Sequence, residues 1–200
     1  IAHSHGLIHL GCWAHARRYF VEAEAVLPKA VRRPDQLATQ FIAAIARLYA
    51  VEAKVKGKGV AERAQLREAA SRSILAEIQH LLVTHRHSVT PGSLLGKALH
   101  YLEAQWPKLI RYVENGAWPI DNNLCENAIR PFVVGRRNWL FADTVAGANA
   151  SANIYSLIET CKANGVDTYR YLVALFKALP LATTADDYEQ LLPWHLTLGD

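Results

Sequence analysis

The sequence has little of what defines secreted, membrane-spanning or disordered proteins. Its 200 residues hold three cysteines and no Cys-x-x-Cys pair, which argues against a disulfide framework and favours a reducing compartment. The longest apolar runs, such as 41–46 and 172–176, are far too short to cross a bilayer. With 11 glycines, 8 prolines and 51% hydrophobic residues, the composition is that of a globular protein. We therefore expect a soluble, cytoplasmic protein.

Three further absences concern the class of enzyme, processing by secretion, and whether these residues are a piece of a longer protein. No Gly-x-Ser-x-Gly sequence occurs, which argues against a Ser/His/Asp hydrolase with a nucleophile elbow. No charged and then apolar leader opens the chain, so we expect no processing by secretion. The sequence contains no methionine and begins at Ile1, from which we expect a piece of a longer protein.

The charge balance is mildly basic. Lysine and arginine number 22 against 18 acidic residues, a net charge of +4, and this favours an anionic partner without proving one. The side chains that could neutralise phosphates are the pairs Arg17–Arg18 and Arg136–Arg137, with Lys108 and Arg111. Trp13 and Trp139 lie near these pairs and could stack on bases. Such pairs are also common on solvated helix faces, and aromatic residues at helical spacing are more often in the core.

The apolar pattern is mainly helical. Apolar residues recur every three to four positions in most of the chain, which predicts amphipathic helices. The predicted helices are 12–26, two antiparallel helices on either side of a turn at 56–59, one after Pro91 with a kink or restart at Pro107, one from Asn122 that ends or bends at Pro131, 147–163 and 168–179. Short apolar segments at 7–10 and 139–141 are typical of extended structure.

Polar side chains are concentrated in the first turns of the helix that follows Asp121. Asp121 can cap this helix, and Asn122, Glu126 and Arg130 are four residues apart, so they share one face. Two interpretations remain open. In one, Glu126 and Arg130 form a surface ion pair. In the other, Glu126 is a ligand for Mg²⁺, which requires further carboxylates, because one holds Mg²⁺ poorly.

A second group of potential metal ligands lies at the start of the chain. It consists of His3, His5, His9, Cys12 and His15, all residue types that bind zinc. The spacing lacks a second regular Cys/His pair, so we interpret the cluster as accidental.

Four stretches of the chain form a distinctive set: GCWAHARRYF at 11–20, IDNNLCENAIRPFVVGRRNWLFA at 120–142, IYSLIETCKANGVD at 154–167 and LLPW at 191–194. Taken together, they resemble the transposases of the insertion-sequence sixty-six family. The Asn-Asn-x-x-Glu sequence, followed by Arg-Pro and then Gly-Arg-Arg-Asn-Trp, carries most of the specificity. The resemblance covers nearly the whole chain in order.

The resemblance implies a DDE-type enzyme with an RNase H-like α/β core, few short strands and a large helical insertion. Residues 1–20 would be the last strand and following helix of that core, and 21–115 the insertion. Residues 116–163 would return to the core with the catalytic helix, and 164–200 would form a helical tail. Glu126 matches the third carboxylate of the family. The two Asp that complete the site for Mg²⁺ or Mn²⁺ would then precede Ile1.

The implied reaction is DNA strand cleavage and strand transfer by phosphoryl transfer. Glu126 would bind metal, Asn122 or Asn123 would orient that carboxylate or the scissile phosphate, and Arg130 would hold Glu126 or contact the backbone. Arg17, Arg18, Arg136 and Arg137 would contact DNA, and a homo-oligomer would join the two ends. The 200 residues alone are not expected to cleave DNA. The alternative is a non-catalytic helical module that binds DNA or another protein.

Overall fold

The computed structural model describes residues 7–139 and 142–196 of the chain. The described residues form eight α-helices: α1 Trp13–Ala25, α2 Leu37–Val55, α3 Val60–His85, α4 Leu94–Leu109, α5 Asn123–Trp139, α6 Val145–Ala163, α7 Thr168–Ala178 and α8 Ala185–Gln190. The chain divides into two compact units, Ile1–Leu124 and Cys125–Asp200. Among the described helices, none combines the length and apolar character needed to cross a bilayer.

The first unit is built around the packing of α1 to α4. Helix α1 packs against both α2 and α4, and α2 packs against α3. The rings of Phe20 and Phe41 stack with centroids 4.4 Å apart between α1 and α2. Buried Trp13 donates its Nε1–H to the carbonyl of Leu109 at 2.9 Å, which joins the start of α1 to the end of α4. Aromatic residues thus hold α1 between its two neighbours.

Two glycines allow the close turns of this unit. Gly57, in the turn between α2 and α3, has a φ of +80°, a conformation that side chains with a Cβ rarely adopt. At Gly116 a Cβ would lie 1.9 Å from the carbonyl oxygen of Val60. The segment after α4 therefore approaches the start of α3 more closely than any other residue type permits.

Arg67 of α3 is a fully buried cation in the first unit. Its Nε and Nη2 atoms donate to the two carboxylate oxygens of Glu52 in α2, at 2.8 and 2.7 Å. Its Nη1 atom donates to the carbonyls of Tyr112 and Asn115, at 2.9 Å each. The guanidinium group therefore connects α2 and α3 with the 3₁₀ turn Ile110–Glu114, which leads towards α5.

The second unit has its own small core. Cys161, Tyr171, Leu175 and Leu191 are buried together in it. The Tyr171 hydroxyl donates to the carbonyl of Leu191 at 2.8 Å, so the core extends from α7 to the residues after α8. Helix α6 ends before Gly165, whose φ of +68° reverses the chain.

The prediction of a mainly α protein is confirmed, with most helices close to their predicted bounds. The two antiparallel helices around residues 56–59, the helix 168–179 and the stop at Asn164 and Gly165 are all present. Helix α4 contains Pro107 and changes to a 3₁₀ turn at Ile110. Helix α8 was not predicted, although Thr184 and Asp187 form a capping box at its start.

Three local predictions differ from the structure. Residues 7–10 form no strand, and the described residues contain none. The backbone here turns to α4 instead, because Gly11 donates its N–H to the carbonyl of Lys108 at 2.9 Å. Of the two alternatives predicted at Pro131, an end or a bend, the structure excludes the end, because α5 continues to Trp139 with Pro131 inside it. Trp139 is therefore helical rather than extended, and Leu140 and Phe141 lie outside the described residues.

Candidate functional site

Asp121 organises the backbone at the start of α5. Its Oδ1 atom accepts the main-chain N–H of Asn123 at 3.1 Å, and its Oδ2 atom accepts the side-chain amide of Asn123 at 3.0 Å. Asp121 was predicted to cap a helix that starts at Asn122, but α5 starts at Asn123. Asp121 therefore lies one residue before the cap position, where it accepts the first N–H of the helix. Asn123 is consequently held through both its backbone and its side chain.

Tyr49 of α2 is the third group bound to this carboxylate. Its hydroxyl donates to Oδ2 of Asp121 at 2.9 Å, across 72 positions of sequence. Burial raises the pKa of Tyr49 well above its usual value, and the hydrogen bond and negative charge of Asp121 raise it further. The phenol therefore remains protonated at physiological pH and acts as a hydrogen-bond donor.

A cleft opens beside this group in the first unit. It has a volume of about 420 Å³ and is lined by Ala14, Arg17, Ala46, Tyr49 and Asn123. The structure thus brings together Arg17, predicted to contact DNA, and Asn123, predicted to orient a reacting group. The sequence pattern gave no sign of Tyr49, because a contact across 72 positions leaves no local signal.

The other predicted residues of the first unit lie outside this lining. Arg18, next to Arg17 on α1, is exposed. Asn122 is also exposed, and its N–H donates to the Sγ atom of Cys12 at 3.4 Å. Arg111 donates to the carbonyl of His9 at 3.1 Å. Of the two candidate asparagines, Asn123 is the one that the cleft includes.

The second unit contains the remaining predicted residues, all on α5. Glu126 is half-buried in the first turn of the helix, one of the positions where a carboxylate interacts favourably with the helix dipole. Arg130 and Arg136 are exposed, so both are accessible to an anion. The side chain of Arg137 lies outside the described residues.

The described residues do not by themselves make a metal site. Nowhere in 7–139 and 142–196 do three His, Cys, Asp or Glu side chains converge closely enough to bind a metal ion. His9, Cys12 and His15 therefore form no zinc site, and His3 and His5 lie outside the described part. Glu126 is at most one ligand of an Mg²⁺ site, and the donors among the described residues do not fit a complete one.

An apolar cavity of about 480 Å³ lies within the second unit, between α5 and α6. Ile129 and Phe132 line it on α5, and Ala152 and Tyr155 line it on α6. The rings of Phe132 and Tyr155 meet edge to face with centroids 5.3 Å apart. The lining carries one ionisable carboxylate, Glu159, which pairs with Lys162. This cavity therefore lacks the cations that a phosphate site needs.

The sequence matches two known family models. A family model described as "Transposase IS66 family" matches residues 1–150, and one described as "IS66 C-terminal element" matches residues 156–194. Similar curated proteins include the uncharacterized proteins y4qI and y4jD of Sinorhizobium fredii (strain NBRC 101917 / NGR234), with 34% and 29% identity over 185 residues. The alignments cover 92% of this chain but 33% and 35% of these relatives, so the chain spans about a third of their length. No solved structure matches the chain.

Proposed function

Because the chain belongs to the IS66 family of transposases, we propose that it is part of an enzyme that cleaves and joins DNA strands at the ends of an insertion sequence. The reaction is an Mg²⁺- or Mn²⁺-dependent phosphoryl transfer, and the substrate is the DNA backbone. In such reactions the protein mainly positions the reacting groups and neutralises charge.

The cleft that Arg17 and Asn123 share is the observation that carries this proposal. A guanidinium group binds phosphate oxygens through paired N–H donors, and Arg17 is exposed at the cleft. The side-chain amide of Asn123 is held by Asp121 at 3.0 Å, so this polar group has a defined orientation beside Arg17. A cation and an oriented amide in one cleft suit a backbone phosphate.

We assign Glu126 the role of the metal-binding carboxylate. The family resemblance carried by Asn-Asn-x-x-Glu points to this residue, and its position in the first turn of α5 supports a carboxylate with limited freedom. Since the described residues contain no complete metal site, the other ligands have to come from another part of the protein. The length of the relatives, about three times that of this chain, is consistent with such a part. The 200 residues alone are then expected to bind DNA without cleaving it.

The remaining arginines are assigned to the DNA backbone. Arg18, Arg130 and Arg136 are exposed, and each phosphate contact contributes to affinity by releasing counterions. These contacts position the DNA and carry no sequence information. We therefore expect their substitution to weaken binding similarly on all DNA sequences.

The test is Glu126→Gln in the full-length protein, which removes the charge and keeps the volume. The substrate is a supercoiled plasmid that carries both ends of the element, in Mg²⁺, and binding to an end is measured separately in chelator. We expect strand cleavage to be lost and end binding to be unchanged. Glu189→Gln, at an exposed carboxylate in α8, is the matched control and should cleave like the wild type.

The other outcomes are equally informative. Cleavage by Glu126→Gln at the wild-type rate would refute the assignment of Glu126. A wild-type protein that binds DNA equally in chelator and in Mg²⁺, and cleaves it in neither, would instead indicate the non-catalytic DNA-binding module.

A further inference from the structure

We propose that Tyr49 is a positioning residue for DNA cleavage, acting through Asp121 on the start of the catalytic helix. The inference rests on the proposed function of Asn123 and Glu126. Tyr49 belongs to α2, in the helical segment that the family resemblance implies is an insertion rather than part of the catalytic core. One side chain of that segment would then help to set the geometry of the site.

The hydrogen bonds of Asp121 connect Tyr49 to Asn123. Its two carboxylate oxygens accept three donors: the hydroxyl of Tyr49 and the main-chain and side-chain N–H groups of Asn123. Tyr49 and the Asn123 amide share the same oxygen, Oδ2, at 2.9 and 3.0 Å. Moving the carboxylate therefore moves the Asn123 side chain with it. Of the three residues in this hydrogen-bonded group, Tyr49 lies on α2, where its neighbour Leu48 is fully buried in the core.

The link from Tyr49 through Asp121 orders the Asn123 side chain. A free Asn side chain samples several rotamers, and ordering it costs conformational entropy. Here the Asn123 side chain is already ordered before DNA binds, and such ordering speeds the reaction of a positioned phosphate. The hydroxyl of Tyr49 is a reliable donor because burial keeps its pKa well above the usual value. Helix α5 starts at Asn123, so the same link holds the first residue of this helix.

The experiment compares Tyr49→Phe with wild type in the full-length protein. This variant removes one oxygen and keeps the ring. We expect cleavage of pre-bound element ends in Mg²⁺ to slow by about tenfold, equivalent to about 1.4 kcal/mol of barrier. Affinity for the ends in chelator and the melting temperature should stay at wild-type values. Tyr101→Phe is the control, because Tyr101 is also half-buried and stacks on Tyr19 with centroids 4.5 Å apart.

A double-variant cycle separates action through Asp121 from a general effect. If Tyr49 acts through Asp121, the pair Tyr49→Phe and Asp121→Asn should cleave no more slowly than Asp121→Asn alone. Multiplied effects of the two substitutions would overturn the proposal. So would wild-type cleavage by Tyr49→Phe, or a loss of cleavage that parallels a loss of melting temperature.

A readout without catalysis completes the test. Hydrogen exchange at the Asn123 amide should become faster in Tyr49→Phe and stay unchanged in Tyr101→Phe, because Asp121 loses one of its anchors. Unchanged hydrogen exchange at the Asn123 amide would overturn the proposal, even if this protein has lost its catalytic activity. The experiments distinguish the failure of this proposal from the failure of the assignment of Glu126. If Glu126→Gln is inactive and Tyr49→Phe is fully active, only the role of Tyr49 is refuted. If Glu126→Gln is active, the assignment of Glu126 is refuted.

Discussion

Replacement of Arg67 should cost the first unit more stability than any other single charge change. Arg67→Met keeps most of the volume and removes the cation. Glu52, whose side chain is 15% exposed, would then hold a negative charge without its partner. The carbonyls of Tyr112 and Asn115 would lose the donor that now lies at 2.9 Å from each.

The magnitude follows from the burial of the pair. Removing one member of a buried ion pair costs about 3–5 kcal/mol, because the remaining charge stays desolvated. A domain of this size has a free energy of unfolding of about 5–15 kcal/mol, so Arg67→Met should leave the unit marginally stable. The double variant Glu52→Leu and Arg67→Met removes the uncompensated charge. It should recover at least about 1 kcal/mol of that loss.

Urea titration of the chain, followed by circular dichroism at 222 nm, measures these differences. The matched control is Arg47→Met on α2, since Arg47 pairs with Glu77 where both side chains are about half exposed. An exposed pair of this kind contributes about 0–1 kcal/mol. If the free energies of unfolding of Arg67→Met and Arg47→Met lie within about 1 kcal/mol of each other, the buried Arg67–Glu52 pair stabilises the protein no more than an exposed pair does.

Three further predictions concern a turn, a cap and the DNA contact. Gly116→Ala places a Cβ 1.9 Å from the Val60 carbonyl oxygen and should lower the free energy of unfolding by about 1–3 kcal/mol. The control is Gly92→Ala, where a Cβ meets open space, and its free energy of unfolding in the same urea titration should be nearly unchanged. Backbone N–H groups of the two threonines before α8 lower the pKa of Asp187 to about 2, so its stabilisation is complete above about pH 4 and is lost as the pH falls towards 2. Melting temperatures between pH 2 and 6 should therefore depend less on pH in Asp187→Asn than in wild type, and identical curves would contradict this. Arg17→Gln should reduce the slope of log affinity against log salt concentration by about 0.9 for duplex DNA, and an unchanged slope would exclude a phosphate contact at this position.

The parts of the fold predicted from the sequence are those set by local chemistry. The turn at 56–59 was predicted from its glycines, and Gly57 does adopt a positive φ. A carboxylate before a helical pattern predicted that Asp121 binds backbone N–H groups at the start of a helix, and Asp121 does accept the N–H of Asn123, although from one residue before the cap position. In both cases the cause and its effect lie within a few residues.

The features that were missed depend on contacts between distant segments. Leu66 fits the apolar pattern of α3 yet is 36% exposed, while its polar neighbour Arg67 is fully buried. Arg67 is buried because Glu52 and two carbonyls from elsewhere in the chain satisfy its donors, and hydrophobic periodicity contains no such information. The Tyr49–Asp121 hydrogen bond was missed for the same reason.

Iron-directed cleavage of the polypeptide tests the proposal that Glu126 of α5 binds the metal. Fe²⁺ bound in place of Mg²⁺ in the full-length protein, with ascorbate and peroxide, generates radicals that cut the backbone close to the ion. We expect cuts in the first turn of α5 that excess Mg²⁺ suppresses and that Glu126→Gln abolishes. An absence of cuts in α5, or equal cuts in Glu126→Gln, would contradict it.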